Sequence, residues 1–261
     1  MSGVEPVGPG GPADPWAALR RHTPARIGLG RTGDAVPTSA VLRFEAAHAL
    51  ARDAVHDVLD ADRVAADLAA ALGGRLPCAP PVLDSAAPDR AVYLQRPDLG
   101  RRLAPSARAV LEAPATPCDL ALVLADGLSA RAVHAHAVPT ARAVLELLPG
   151  WSVTAAVVRQ GRVAVGDEVA ELLGARFAVV LLGERPGLSA PDSLGAYLTR
   201  DPRPGRRDSE RNCVSNIRPP HGQGIEEAAA TIAGLLRAAD RLGVTGVQLK
   251  DDLTLPSWRA R

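Results

Sequence analysis

Three short, dominantly apolar runs stand in the second half of the chain: residues 120–124 (LALVL), 153–158 (VTAAVV) and 177–182 (FAVVLL). Each is too short for a buried helix and has the length of a strand covered on both faces. The first ends in Ala125-Asp126-Gly127 and precedes an alanine-rich helical stretch from Ser129; the second precedes a helix expected over residues 167–173, stopped by Gly174. The third ends in Gly183-Glu184-Arg185-Pro186-Gly187, and a further strand is expected through residues 196–198. Ile232, Leu235, Leu236 and Ala239 mark the apolar face of a late helix. Strand-like runs alternating with helices predict an α/β class: a small N-terminal helical region followed by a Rossmann-like domain with a mostly parallel sheet.

The first third of the chain carries helical rather than strand periodicity. Asp14-Pro15 has the pattern of a cap and first helical position for a short helix through Trp16 and Leu19. Thr38 or Ser39 caps a longer helix with Val41, Phe44, His48, Val55 and Leu59 at helical spacing, and a third helix runs over residues 63–72 to Gly73-Gly74. Residues 1–13 are rich in Gly and Pro without a helical period, the composition of a disordered tail. Residues 75–89 contain four prolines and read as a surface linker. The expected division is therefore tail 1–13, helical region 14–74, linker 75–89 and α/β domain 90–261.

Composition narrows the chemistry. The formal charge of +1 at pH 7 argues against a nucleic-acid partner, which would require an excess of basic side chains. Lys250 is the only lysine and follows Leu249, so the chain has no phosphate-binding loop of the G-x-x-x-x-G-K-[ST] type. Cys78, Cys118 and Cys213 are widely spaced, with neither a C-x-x-C pair nor a secretory signal, which predicts a reducing, cytoplasmic compartment. No apolar run approaches the ~20 residues that span a bilayer, and no membrane segment is expected.

Several candidate sites are visible. Gly28-Leu29-Gly30-Arg31-Thr32-Gly33 matches G-x-G-x-x-G, but the preceding Thr-Pro-Ala-Arg-Ile is too short and proline-broken for the required strand. A turn whose glycines allow positive φ is the better reading. His134 and His136 are two apart in a helical segment and diverge, and His48 and His56 are eight apart, so no metal site is expected. Asp126 and Glu184 lie where ligands of open parallel sheets bind, beyond the carboxyl ends of strands. Glu184 has two readings of equal standing on residue chemistry: an ion pair with a neighbouring arginine, or an acceptor for a polar ligand. Cys213, beside Arg211 and Asn212, has no adjacent histidine to form a nucleophilic pair.

Five blocks are specific when taken together in order and spacing: TPARIGLGRTG at 23–33, YLQRPDLGRRL at 93–103, ADGLS at 125–129, GERPG at 183–187 and RNCVSNI at 211–217. Over residues 19–249 the chain resembles the small (light) chain of ethanolamine ammonia-lyase. The resemblance implies an adenosylcobalamin-dependent lyase of two chains, converting ethanolamine to acetaldehyde and ammonia by radical chemistry. It implies a large-subunit partner that carries the substrate site, with this chain forming a wall of the cofactor site. Carried across residue by residue, the family's cobalamin contacts fall on Val163 in GRVAV, Glu184 in GERPG and Cys213 in the loop RNCVSNI, which tilts Glu184 towards ligand binding. No catalytic residue is implied on this chain. Cobalamin is expected base-on, because none of the six histidines stands in a D-x-H-x-x-G setting. Some relatives carry an amphipathic N-terminal helix that directs them into a bacterial microcompartment; residues 1–13 lack that pattern. A non-catalytic assembly subunit and a nucleotide-dependent oxidoreductase are the rival readings.

Overall fold

The computed structural model describes residues 14, 16–111 and 116–249, and the chain divides into two compact units, one ending at Ala49 and the other beginning at Leu50. The tail 1–13, Pro15 and Lys250 lie outside the described residues.

The first unit contains α1 (Ala17–Arg20) and the greater part of α2 (Thr38–His56). Asp14 accepts the Trp16 N–H at 3.0 Å and pairs with Arg20, but the helix begins later than expected, with Trp16 rather than Asp14 at its N-cap position. The GLGRTG segment is a turn in which Gly28, Gly30 and Gly33 all have positive φ. Arg20 donates to the Gly28 carbonyl at 2.6 Å, and a Cβ on Gly28 would lie 2.1 Å from Trp16. Among the described residues no strand precedes this turn, so the structural context that a dinucleotide fingerprint needs is not seen there.

The second unit is built on a six-stranded sheet in the order β1-β3-β2-β4-β5-β6. Its strands are β1 (Val82–Asp84), β2 (Cys118–Ala125), β3 (Val153–Arg159), β4 (Ala175–Gly183), β5 (Leu194–Arg200) and β6 (Asn212–Ile217). The first four in this order are mutually parallel; β5 pairs antiparallel with β4, and β6 antiparallel with β5. The predicted mixed α/β class with a mostly parallel sheet is the observed one.

Strand alternation divides the core into two layers. Leu120, Leu122, Leu124, Val157, Val179 and Leu181 face one side, packed with α3 (Ala61–Leu72) and α9 (Ile225–Leu242). Between β2 and β3 the chain forms α6 (Ala130–Ala132), a π-helical turn (Val133–Ala137) and α7 (Val138–Glu146), which join that same layer. Val123, Ala125, Val158, Val180 and Leu182 face the other side, with α5 (Pro105–Leu111) and α8 (Val165–Leu172). Residues pointing both ways must be apolar, which is why these strands read as continuous runs.

Four expectations need correction. Residues 50–74 belong with the sheet rather than with an N-terminal helical region, because Val64, Leu68 and Leu72 of α3 are part of the main core. Residues 75–89, expected as a linker, supply the edge strand β1, whose three residues pair with β3. RNCVSNI, expected as a loop, forms β6 from Asn212 onward; Val214 and Ile217 are buried while Cys213, Ser215 and Asn216 are exposed, the alternation breaking at Asn216 with its φ of +60°. Leu59, assigned to the second helix by its spacing, is buried beyond that helix's end at His56.

Candidate functional site

At the carboxyl ends of β2, β3 and β4 lies an open cavity of about 340 Å³. Its lining comes from segments far apart in sequence: Tyr93 of α4 (Arg90–Gln95), Gly127 and Leu128 after β2, Arg162 and Val163 after β3, and Glu184 and Arg185 after β4. Tyr197 of β5 closes one side. The strand order explains the location: from β2 the chain steps first to β3 on one side and then to β4 on the other, opening a crevice at the point of reversal.

Two glycines allow the strand ends to approach closely enough to form this edge. A Cβ on Gly183 would meet the Ser129 carbonyl oxygen at 2.0 Å, and one on Gly127, which has φ +53°, would meet the Gly183 carbonyl oxygen at 2.2 Å. The Leu128 N–H donates to that Gly183 carbonyl at 2.9 Å. These contacts account for Gly127 of ADGLS and Gly183 of GERPG without reference to any ligand.

Of the three sequence-predicted residues, Val163 and Glu184 line the cavity together; Cys213 does not line it. Cys213 is the register partner of Tyr197, one strand removed from the cavity wall. Glu184 makes no ion pair among the described residues, so the arginine-paired reading fails. Its carboxylate instead accepts from the Ser193 hydroxyl at 2.6 Å, the Ser215 hydroxyl at 2.5 Å and the Asn216 N–H at 3.2 Å. Asn216 reaches that position with φ +60°, next to a register irregularity between β5 and β6. Gly195 on β5 leaves room, since a Cβ there would come within 2.8 Å of the Glu184 carboxylate. Glu184 thus ties the end of β4 to β6 while remaining on the cavity wall.

The Cys213 thiol is not poised as a nucleophile. Removal from water pushes its pKa up and the charge of Glu184 pushes the same way, against a hydrogen bond with Tyr197. Arg211, the neighbour that might have favoured a thiolate, is committed elsewhere: its guanidinium holds the Asp167 carboxylate through two contacts of 2.5 Å, with both side chains almost fully buried.

Below the cavity is a polar layer that the sequence did not disclose. Asp126 is buried and accepts from the Gly161 N–H and from Arg90, each at 3.1 Å. Burial raises its pKa to about 6, against the opposing pull of Arg90. Arg90 also donates to the carbonyls of Gly127 and Val55, both at 2.8 Å. Tyr93, fully buried, donates to the Gly161 carbonyl at 3.0 Å, and burial pushes its phenol well above the ordinary range. The guanidinium carbons of Arg90 and Arg162 lie 4.9 and 4.6 Å from the Tyr93 ring centre. The only sequence signal for this layer was the charged Asp126 following a buried strand; nothing local indicated that α4 would deliver Arg90 and Tyr93 to it.

A family model described as ethanolamine ammonia-lyase light chain matches residues 13–250. The chain belongs to this family. It is 53% identical over 251 residues to the ethanolamine ammonia-lyase small subunit of Bradyrhizobium diazoefficiens, covering 94% of this chain and 93% of that protein. It is 54% identical to the small subunit of Ralstonia nicotianae over 95% of this chain and 92% of that one, and 52% identical to that of Pseudomonas syringae pv. tomato over 94% and 85%. The family membership agrees with the resemblance carried by the five sequence blocks.

The remaining candidates have structural partners. His134 accepts the Asp60 N–H at 3.0 Å, and His136 lies 3.8 Å from Asp192, which is itself paired with Arg218. The histidines lie in the π-helical turn, where they serve separate contacts. Among the described residues no cluster of three or more His, Cys, Asp or Glu is arranged to hold a metal ion, and no helix is long and apolar enough to cross a membrane.

Proposed function

We propose that this chain is the small subunit of an adenosylcobalamin-dependent ethanolamine ammonia-lyase and forms one wall of the cobalamin site against a large subunit. The observation that carries the reading is the convergence of Val163 and Glu184 on one open cleft at the carboxyl edge of the sheet, in a chain of this family. When bound, adenosylcobalamin would supply the radical chemistry that converts ethanolamine to acetaldehyde and ammonia.

The residues present fit such a group. A corrinoid has an apolar ring face and a rim of amides, and the cleft offers Leu182, Val163 and Tyr197 beside the polar Glu184. Val163 packs against the second core layer, so its free side offers a fixed apolar contact. The Glu184 carboxylate is oriented by three donors and can accept a further amide N–H. Cys213 contributes through Tyr197, its cross-strand partner, rather than from the cavity wall itself. At about 340 Å³ the cleft is far smaller than a whole corrinoid, which supports a site completed by a second chain.

Within this reading the chain binds and positions. Its buried Asp126, Asp167 and Glu168 are occupied by Arg90, Arg211 and Arg108, which leaves them as framework rather than as acids or bases for the substrate. Cobalamin in the base-on form, with the large subunit supplying the substrate site, completes the proposal. Co-expression with a candidate large subunit, co-purification, and assay of ethanolamine-dependent ammonia release test it. Stable association with cobalamin-dependent turnover is expected. Association without any effect of this chain on cobalamin binding would instead favour a purely assembling role.

A further inference from the structure

Arg162 lines the cleft with no hydrogen-bond or ion-pair partner for its guanidinium among the described residues. It is half-buried, lines the cavity next to Val163, and has a buried Nε with no hydrogen-bond partner. Its guanidinium carbon lies 4.6 Å from the centre of the Tyr93 ring, beside Arg90 at 4.9 Å from the same ring. Two cations therefore share one aromatic ring. The nearby carboxylate, Asp126, is engaged by Arg90 and the Gly161 N–H. Of the other carboxylates on the cavity, Glu184 is held by hydroxyls and a backbone N–H, and Asp208 faces Arg211 at 3.7 Å. Arg162 thus has no carboxylate partner among the described residues. A partly desolvated guanidinium without a counter-charge is costly, and an arriving anion removes that cost.

The surroundings extend the same charge. Arg101 and Arg185 line the same cavity, and Arg101 also lines an adjoining cleft of about 590 Å³ that holds Arg102, Arg108, Arg206 and Arg207 against Asp98, Glu168 and Asp208, with Arg108 and Arg206 already paired to Glu168 and Glu210. The planar, always-charged guanidinium is suited to the paired oxygens of a phosphate.

We infer that Arg162, with Arg101 at the rim, forms an anion subsite that receives the phosphodiester of the cobalamin nucleotide loop. This rests on the reading of the cleft as a cobalamin wall. It goes beyond that reading by assigning an orientation: the nucleotide loop, the anionic part of the cofactor, lies towards the arginine-lined end, and the amide rim lies towards Glu184.

Cobinamide lacks the phosphodiester and nucleotide and so separates the two ideas. Binding of cobalamin and of cobinamide to the assembled two-chain complex is followed by visible absorption, for the native chain and for Arg162→Gln and Arg101→Gln. Arg162→Gln is expected to weaken cobalamin about ten- to a hundredfold, the loss of a charge-assisted contact, and to leave cobinamide affinity unchanged. Arg101→Gln, on the exposed rim, is expected to produce a smaller loss in the same direction. Equal losses for both corrinoids would show that Arg162 supports the wall rather than the phosphate, and overturn the inference. So would no loss for either. A native complex that binds cobinamide but shows no advantage for cobalamin would also overturn it while leaving the wall intact. Failure to bind either corrinoid would remove the cobalamin reading itself, and this inference with it.

Discussion

Glu184 holds two roles that a single substitution can separate. Its carboxylate fixes the end of β4 to β6 through Ser193, Ser215 and Asn216, yet its side chain stays on the cavity wall. Glu184→Gln keeps the volume; with the amide nitrogen in the place of Oε1, the Ser215 hydroxyl can reverse to accept from it while the remaining oxygen still accepts from Ser193 and the Asn216 N–H. The expected outcome is a folded chain whose complex binds cobalamin about ten- to a hundredfold more weakly, the worth of one charge-assisted hydrogen bond. Titration of the complex measures it, and an unchanged dissociation constant would confine Glu184 to its strand-tying role. Asp126 offers a test at the same scale. Its folded pKa of about 6 lies above the roughly 3.9 of an unfolded Asp, so the native state holds more protons between those values. Asp126 therefore stabilises the fold most at low pH, and this contribution falls as pH rises through 6. Stability of the native chain minus that of Asp126→Asn should decline by about 2 kcal/mol between pH 4 and 7 in denaturant titrations. A rising difference would mean that Arg90, not burial, governs this carboxylate.

Among the elements, legibility followed burial. β2, β3 and β4 were readable because both of their faces are covered, which forces continuous apolar sequence. β1 was not, since three residues flanked by prolines carry no period and its pairing with β3 is long-range. β6 was hidden by its exposed Cys213, Ser215 and Asn216 and by a broken period that spaces buried Val214 and Ile217 three apart. The cleft was half legible: Asp126 and Glu184 could be placed at strand ends, but Tyr93, Arg90 and Arg162 converge only through the sheet order. The contacts between elements carry their own predictions. Gly183→Ala forces a Cβ to within 2.0 Å of a backbone oxygen on the β2–α6 connection and should cost about 4 kcal/mol or abolish folding. Gly195→Ala meets side chains rather than backbone, the Glu184 carboxylate at 2.8 Å and the Tyr197 ring at 3.2 Å, and should cost less stability than Gly183→Ala while displacing that carboxylate from its donors. Equal thermal shifts for the two variants would contradict this account of the sheet edge. The buried Asp167–Arg211 pair joins α8 to the start of β6, and Thr199 on β5 accepts from the same guanidinium at 2.8 Å. Arg211→Ala leaves the carboxylate buried and unpaired, and chemical denaturation should show a loss of about 3–5 kcal/mol.

For the whole molecule, the sheet edge is a partial site: an open cleft, arginine-lined at one end, with its acidic groups satisfied internally. Under the proposed function, such a surface would give a large cofactor one wall. The isolated chain is accordingly expected neither to deaminate ethanolamine nor to hold adenosylcobalamin tightly. The decisive measurement is a spectroscopic titration of cobalamin into this chain alone, into the large subunit alone, and into their equimolar mixture. The account predicts tight binding in the mixture only, weakened when Glu184→Gln replaces the native small chain. Equally tight binding by the large subunit without this chain would contradict it.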